Sequence, residues 1–280
     1  LLIMEVNMEN TRIRPIRGFL FYFKIYWMIA LQDIKSKMSY RSDFLISTIG
    51  MITVNVSGFL GFWLVFQTFH EINGWKFNEI LFLYACLLLT MTPNQIFFDN
   101  NWSLRYYVYS GDFVKYCFRP INLFFYFISE VIDVKGFGQF FFGLFLLIYS
   151  WIQLQIPVTV GNVVTLLVGL LSGSLVVIAL MVAASATCFW LMNSGFIMVY
   201  IFKFTDYAKY PLSIFNKFFQ VLFTVLIPIG FIAYYPSLYF LRPNDFEWLT
   251  LLCPVVGAIM VLIAYKIWMY GASKYSGTGS

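Results

Sequence analysis

The run VTVGNVVTLLVGLLSGSLVVIALMVAASATCFWLM, residues 158–192, decides the class of fold, because it contains no Asp, Glu, Lys or Arg. A helix needs about 20 predominantly apolar residues to cross the hydrocarbon core of a bilayer. This run exceeds that length, so it predicts a membrane-spanning helix that tilts or projects beyond the bilayer.

The composition of the whole chain agrees with this run. Of the 280 residues, 61% are hydrophobic, 21% are aromatic and only 11% are charged. Soluble domains are about 45–50% apolar and about 25% charged. A soluble fold would have too few polar side chains to cover this much apolar surface, so we expect an all-α polytopic membrane protein.

Six apolar segments meet the length criterion and predict six transmembrane helices. They are residues 44–69, 80–98, 136–154, 158–192, 218–235 and 249–270. The fifth segment contains Pro228, which removes a backbone hydrogen bond, so we expect a bend there, either as a hinge in a substrate path or as a fixed kink.

A seventh segment, residues 16–31, is too short to span and is interrupted by Lys24. We expect it to form an interfacial elbow helix in the headgroup plane. The predicted domains are therefore residues 1–43 (cytoplasmic N-terminus and elbow helix), 44–272 (six-span domain) and 273–280 (cytoplasmic tail).

The basic residues predict the orientation of these spans. With both termini on the cytoplasmic side, all Lys and Arg residues except Lys76 and Arg242 face the cytoplasm, including Lys203, Lys209 and Lys217. This is a strong positive-inside bias. The net charge of +5 is then explained by anionic lipid rather than by nucleic acid.

The stretch RYYVYSGDFVKYCFRP, residues 105–120, is a charged and aromatic segment between the second and third predicted spans. Asp112 is placed to cap a short helix, and Phe113, Tyr116 and Cys117 share one apolar face of it. The Arg-Pro pair that follows ends the helix. Two interpretations fit: an aromatic knob inserted into a groove of a partner, or an amphipathic loop helix resting on the membrane.

The predicted spans carry little chemistry of their own. None has a charged residue at its middle, which argues against a proton- or sodium-driven carrier. The chain also lacks a GxxxxGK[ST] nucleotide-binding motif, a catalytic Ser/His/Asp set and a metal-ligand cluster. We therefore expect no catalytic residue, no metal site and no bound cofactor, and any energy for transport must come from another polypeptide.

Uncharged polar groups do occur at membrane depth. Asn55, Thr92, Asn94 and Gln95 could line a substrate path or form hydrogen bonds between helices. The small-residue pattern at Gly169 and Gly173 indicates close helix packing, within the subunit or at a seam between subunits.

Three stretches resemble one known family. SGDFVKYCFRPINLFFYFISEVIDVKGFG, residues 110–138, looks like the segment that joins spans two and three in ABC-2 type permeases. LFTVLIPIGFIAYYPSLYFL, residues 222–241, is similar to the family's span five with its Pro-Gly kink, and YGASKYSGTGS, residues 270–280, resembles its C-terminal tail.

The resemblance implies the permease subunit of an ATP-binding-cassette (ABC) exporter in a bacterial cytoplasmic membrane. Two permease subunits, identical or sister chains, would form the path, and separate ATPase subunits would bind ATP and Mg²⁺. The cytoplasmic segment would be the coupling helix that docks on the ATPase, with these contact residues: Ser110, Asp112, Phe113, Lys115, Tyr116 and Arg119. Apolar and aromatic walls favour an amphipathic or hydrophobic cargo, such as a drug, a peptide or a lipid.

Two other functions remain open from the residues alone. A secondary carrier or channel that works without ATP would be supported by intramembrane carboxylates or by an inverted repeat with broken helices. The third alternative is a membrane scaffold without transport activity.

Overall fold

The computed structural model describes residues 18–38, 41–191, 194–243 and 248–276. Within these residues the protein is all-helical, and its extended structure is limited to one isolated bridge between Ile72 and Trp75. The predicted all-α class is therefore confirmed.

Twelve helices are defined in this part of the chain. They are α1 Phe19–Met38, α2 Arg41–Thr68, α3 Phe77–Phe97, α4 Asn101–Ser110, α5 Val114–Cys117, α6 Leu123–Ser129, α7 Gly136–Gln153, α8 Val160–Ala186, α9 Gly195–Asp206, α10 Lys217–Val221, α11 Tyr234–Leu241 and α12 Leu249–Lys274. Among the described residues, five of them (α2, α3, α7, α8 and α12) are long and apolar enough to cross a membrane. These five match the first, second, third, fourth and sixth predicted spans.

The bundle has two distinct ends. We call the end that contains α4, α5 and α6 the basic end, because Arg105, Lys115 and Arg119 lie there. The opposite end, which we call the distal end, contains the loop of residues 69–76 between α2 and α3. The long helices α2, α3, α7 and α8 alternate in direction between these two ends.

The core is built around α3 and α8. Nearly every side chain of α3 between Glu79 and Thr92 is buried, and the second half of α8 is buried as well. Helix α12 packs closely along α8, because Gly257 brings its backbone against the carbonyl oxygen of Ser172. Helices α2 and α12 keep exposed apolar faces, which suits contact with lipid or with another membrane subunit.

The predicted fifth span, residues 218–235, is wrong as a single membrane-crossing helix. The indole Nε1 of Trp75 donates a hydrogen bond to Ser213 Oγ at 2.9 Å, and Arg242 Nη2 donates one to the Gly74 carbonyl at 2.6 Å. Both ends of the segment 213–242 therefore lie at the distal end of the bundle. We call this segment the hairpin.

The hairpin enters the bundle and turns back at its middle. After α10 and a π-helical turn at Leu222–Leu226, the helix breaks before Pro228, which has no N–H to continue it. The turn is buried, and Ile232 lies against Gly173, the central residue of α8. Irregular backbone at membrane depth is tolerated only where protein covers it, and this burial meets that requirement.

The chain instead passes between the two ends over residues 195–213. Gly195 lies against the guanidinium of Arg105 at the basic end, and Ser213 lies at the distal end. Lys203 and Lys209 are therefore between the two ends, and Lys217 lies near the distal end, whereas the sequence analysis placed all three on the same side as Arg105. The sequence analysis did not predict this passage, because charged residues interrupt the apolar run of residues 195–213.

Gly173 provides a test of the hairpin turn. A Cβ at this position would meet the carbonyl oxygen of Ile232 and the methyl group of Thr90. We expect Gly173→Ala to destabilise the protein by about 1–3 kcal/mol, the usual cost of overpacking, and to lower its unfolding temperature in detergent.

The matched control is Gly61→Ala on α2, where a Cβ has no neighbour within 4 Å. This control should leave stability unchanged or raise it by up to about 1 kcal/mol, because alanine favours a helix over glycine. Equal unfolding temperatures for the two variants would contradict the close contact of Gly173 with the hairpin.

Candidate functional site: the short helices at the basic end

The predicted coupling segment folds as two helices joined by a tight turn. Helix α4 ends at Ser110, and the φ of 84° at the following Gly111 is in the left-handed region that glycine adopts without strain. Asp112 does not cap α5, contrary to the prediction, because its carboxylate accepts a hydrogen bond from Ser110 Oγ at 2.7 Å instead. This bond closes the turn, and α5 follows as a single helical turn.

Phe113 and Tyr116 are fully buried inside the subunit, with 0% of each side chain exposed. The Phe113 ring contacts the rings of Tyr275, Phe189 and Trp268, with centroids 5.1, 5.2 and 6.0 Å away. The aromatic knob expected from the sequence is therefore not on the surface. Two of the three residues predicted on the apolar face of α5, Phe113 and Tyr116, are buried against the end of α12, whereas the third, Cys117, is exposed.

Tyr116 and Lys115 tie α5 to Glu130, the residue that follows α6. The Tyr116 hydroxyl donates a hydrogen bond to one carboxylate oxygen of Glu130, and Lys115 Nζ lies 3.0 Å from the other. Burial and the neighbouring Glu130 carboxylate raise the pKa of Tyr116 far above its usual range, so the phenol remains a donor. Lys115 also lies over the Tyr107 ring, 4.3 Å from its centroid, which fixes α5 against α4.

The remaining predicted docking residues are exposed at the basic end. Ser110, Asp112, Lys115 and Arg119 all face outward from the bundle. They surround two aromatic side chains, Tyr109 and Phe118, which are 70% and 79% exposed. We call these six residues the exposed face of α4–α5.

Phe118 is the functional candidate that the sequence analysis missed. Its exposure could have been predicted from the sequence. An angle of about 100° per residue places Phe118 on the opposite side of α5 from the buried rings of Phe113 and Tyr116. Cys117, which was predicted on the apolar face, is exposed beside Phe118.

Helix α1 is clamped to the loop that follows α6. Asp33 Oδ2 accepts a hydrogen bond from the Ile132 N–H at 2.9 Å, and Lys37 Nζ donates one to the Ile132 carbonyl at 2.6 Å. Asp33 and Lys37 also form an ion pair at 2.8 Å. Both backbone polar groups of Ile132 are thus hydrogen-bonded to side chains of α1. These bonds connect α1 directly to the segment that carries Glu130.

Of the predicted path residues, Gln95 is half-buried and the other four are buried within the subunit. Thr92 bonds back to the Leu88 carbonyl in its own helix, and Gln95 donates to the Met51 sulfur. The side-chain amide nitrogen of Asn55 and the side-chain oxygen of Asn94 are buried without a partner. Pro228 forms the turn of the hairpin and is buried there.

The long apolar helices define the chain as an all-helical, multi-pass membrane protein. Residues 44–279 match a family described as ABC-2 family transporter protein, so the chain belongs to that family of transporter membrane components. Members usually work with ATPase subunits. No curated protein and no solved structure matches the chain.

The clamp on Ile132 can be tested by hydrogen exchange. Removing the carboxylate by Asp33→Ala deprives the Ile132 N–H of its acceptor. The loss of a charge-assisted hydrogen bond is worth about 1.5–3 kcal/mol, so the amide should exchange at least about tenfold faster. Lys24→Ala, an exposed change on the same helix, is the control and should leave that amide unaffected. Unchanged exchange in Asp33→Ala would contradict the clamp.

Asp99, in the turn after α3, gives a pH prediction. Burial and the nearby Asp133 raise its pKa from 3.8 to about 6, against the opposing effect of Lys37 and Lys135. Because the folded chain binds the proton more tightly than the unfolded chain, stability is highest below about pH 4, falls as the pH rises from about 4 to about 6, and stays at the lower level above that.

We therefore expect Asp99→Asn to raise stability at pH 8 by about 1–3 kcal/mol and to have little effect at pH 4. Unfolding temperatures across this range test the prediction. An equal shift at both pH values would show that the pKa of Asp99 is not raised by folding.

Proposed function

We propose that this protein is the permease subunit of an ABC exporter and that an ATPase docks on the exposed face of α4–α5. The observation that carries the proposal is an exposed aromatic and charged face on two short helices, in a member of the ABC-2 transporter family. The chain would cross the bilayer six times, through the five long helices and the passage over residues 195–213. The basic end would then face the cytoplasm of a bacterial cell.

The contacts around α5 support the transmission of ATPase movement into the bundle. Phe113 joins α5 to Trp268 of α12, and Glu130 joins it to α6. The clamp at Ile132 continues this connection to α1. Because Phe113 and Tyr116 are fully buried in close-packed contacts, a push on the exposed face of α5 would displace α1, α6 and the end of α12 together.

The ATPase partner would bind ATP and Mg²⁺, and this chain would contribute the membrane path together with a second permease subunit, identical or a sister chain. Its exposed apolar surface would be covered by that subunit and by membrane lipid. The cargo would be amphipathic or hydrophobic, in keeping with the apolar and aromatic character of the bundle.

A secondary carrier that works without ATP is the second candidate, and Asp206 is the observation that favours it. Intramembrane carboxylates are typical of proton- and ion-coupled carriers. The two candidates differ in a direct way: only the exporter requires a bound ATPase for uptake of cargo into inverted vesicles.

The docking test uses Phe118→Asp in the full-length chain, co-expressed with an ABC ATPase from the same organism that co-purifies with the unmodified chain. A charge in place of an exposed aromatic anchor typically costs about 2–4 kcal/mol at an interface, so co-purified ATPase should fall at least about tenfold. Val158→Asp is the control, because Val158 is similarly exposed, 80%, but lies at the distal end. Both variants should elute as folded protein in detergent.

Normal assembly of Phe118→Asp with the ATPase would refute docking on this face. Loss of assembly in both variants would show that the effect is general rather than local. Cargo uptake that continues without any ATPase would favour the secondary carrier.

A further inference from the structure

Helix α9 places ionisable side chains at membrane depth, where the sequence analysis expected none. Lys203, Asp206 and Lys209 lie on and just after this helix, which leads from the basic end toward the distal end. Their depth, their pairing and their exposure together point to a ligand.

Two independent estimates from the helical rise give the depth of these residues. Gly195 lies at the basic end, and Lys203 and Asp206 are about 12 and 16 Å further along a helix that rises 1.5 Å per residue. From the other side, the Tyr210 ring contacts Phe62, six residues before the distal end of α2, which is about 9 Å. Asp206 is therefore near the middle of a hydrocarbon core of about 30 Å.

The pairing of these charges leaves one positive charge in excess. Lys209 Nζ lies 2.8 Å from Asp206 Oδ2, and the two side chains are 17% and 49% exposed. None of the acidic side chains that the structure describes lies within ion-pair distance of Lys203, and Lys203 is exposed on the single subunit. The local net charge is thus +1.

The surface around these charges is aromatic. Tyr200 and Tyr207 flank Lys203 at one-turn spacing and are exposed as well. Asp206 has a short side chain, so it cannot reach the headgroup region from the middle of the bilayer. A charge facing lipid there costs about 2.5–3.5 kcal/mol or more, so this face of α9 is turned toward water or a polar group rather than toward lipid.

We propose that Lys203, with the Asp206–Lys209 pair beside it, binds the anionic head group of an amphipathic cargo as it passes along α9. The aromatic side chains would contact the apolar part of the same molecule. This inference rests on the proposed function, because it places α9 in the substrate path. It goes further in naming the sign of the charge that the path recognises.

If local charge determines binding, two variants should change the affinity for an anion in opposite directions. Lys203→Gln removes the unpaired positive charge and should weaken binding of an anion. Asp206→Asn removes the negative charge that neutralises Lys209, so it should strengthen binding of the same anion. A purely structural role would not move the two affinities in opposite directions.

The experiment measures binding to the full-length chain in phosphatidylcholine nanodiscs, with empty nanodiscs subtracted. The probe is 11-(dansylamino)undecanoic acid at pH 8.5, and its uncharged methyl ester is the matched control ligand. We expect Lys203→Gln to weaken the acid at least about fivefold and Asp206→Asn to tighten it about threefold or more, from the change in local charge. Neither change should alter ester binding more than about twofold.

Two further variants complete the design. Lys203→Arg keeps the charge and should retain acid binding, whereas Lys217→Gln, near the distal end, should have no effect. Equal loss of acid and ester in both α9 variants, or no change in either, would overturn the proposal. Should Asp206→Asn fail to fold, the Gln and Arg variants at the exposed Lys203 still decide the outcome.

This measurement needs no ATPase, so it separates the two proposals. Acid binding that follows the predicted signs, together with no ATPase docking, would leave the charged contact standing and refute the exporter. ATPase docking without the predicted charge effects on acid binding would support the exporter and refute the charged contact.

Discussion

Most of this structure depends on one constraint: backbone that lacks helical hydrogen bonds cannot face hydrocarbon. The turn of the hairpin, broken at Pro228, meets this constraint by lying in the middle of the bundle against Gly173. Because the hairpin occupies that place and returns to the distal end, the passage between the ends is left to α9. The charges of α9 lie between the two ends of the bundle for the same reason.

The basic end is organised by a different interaction, the packing of buried aromatic rings. Phe113, Tyr116 and Trp268 are each completely buried, and their rings meet in edge and tilted contacts that such pairs favour. These contacts take the place that the sequence analysis had assigned to a partner protein. They fix the short helices against α12, and the opposite side of α4–α5 stays exposed.

Much of the fold could be predicted from the sequence, because uncharged apolar runs identify long membrane helices well. The exceptions have physical causes. Residues 218–235 are as apolar as a span, and composition cannot distinguish a helix that crosses from a hairpin that turns back. Residues 195–213 carry Lys203, Asp206 and Lys209, and these charges interrupt the apolar run by which a passage between the ends could have been predicted. Similarly, helical spacing identified the apolar face of α5, but spacing cannot say which surface covers that face.

Arg242 at the base of the hairpin has a consequence for how the distal end opens. Its guanidinium bonds to the Gly74 carbonyl, pairs with Glu79 at 3.2 Å and covers the Trp75 ring. The hairpin is thereby fastened to the loop between α2 and α3. Any movement of the distal end would carry the loop and the hairpin together, unless these contacts of Arg242 are broken first.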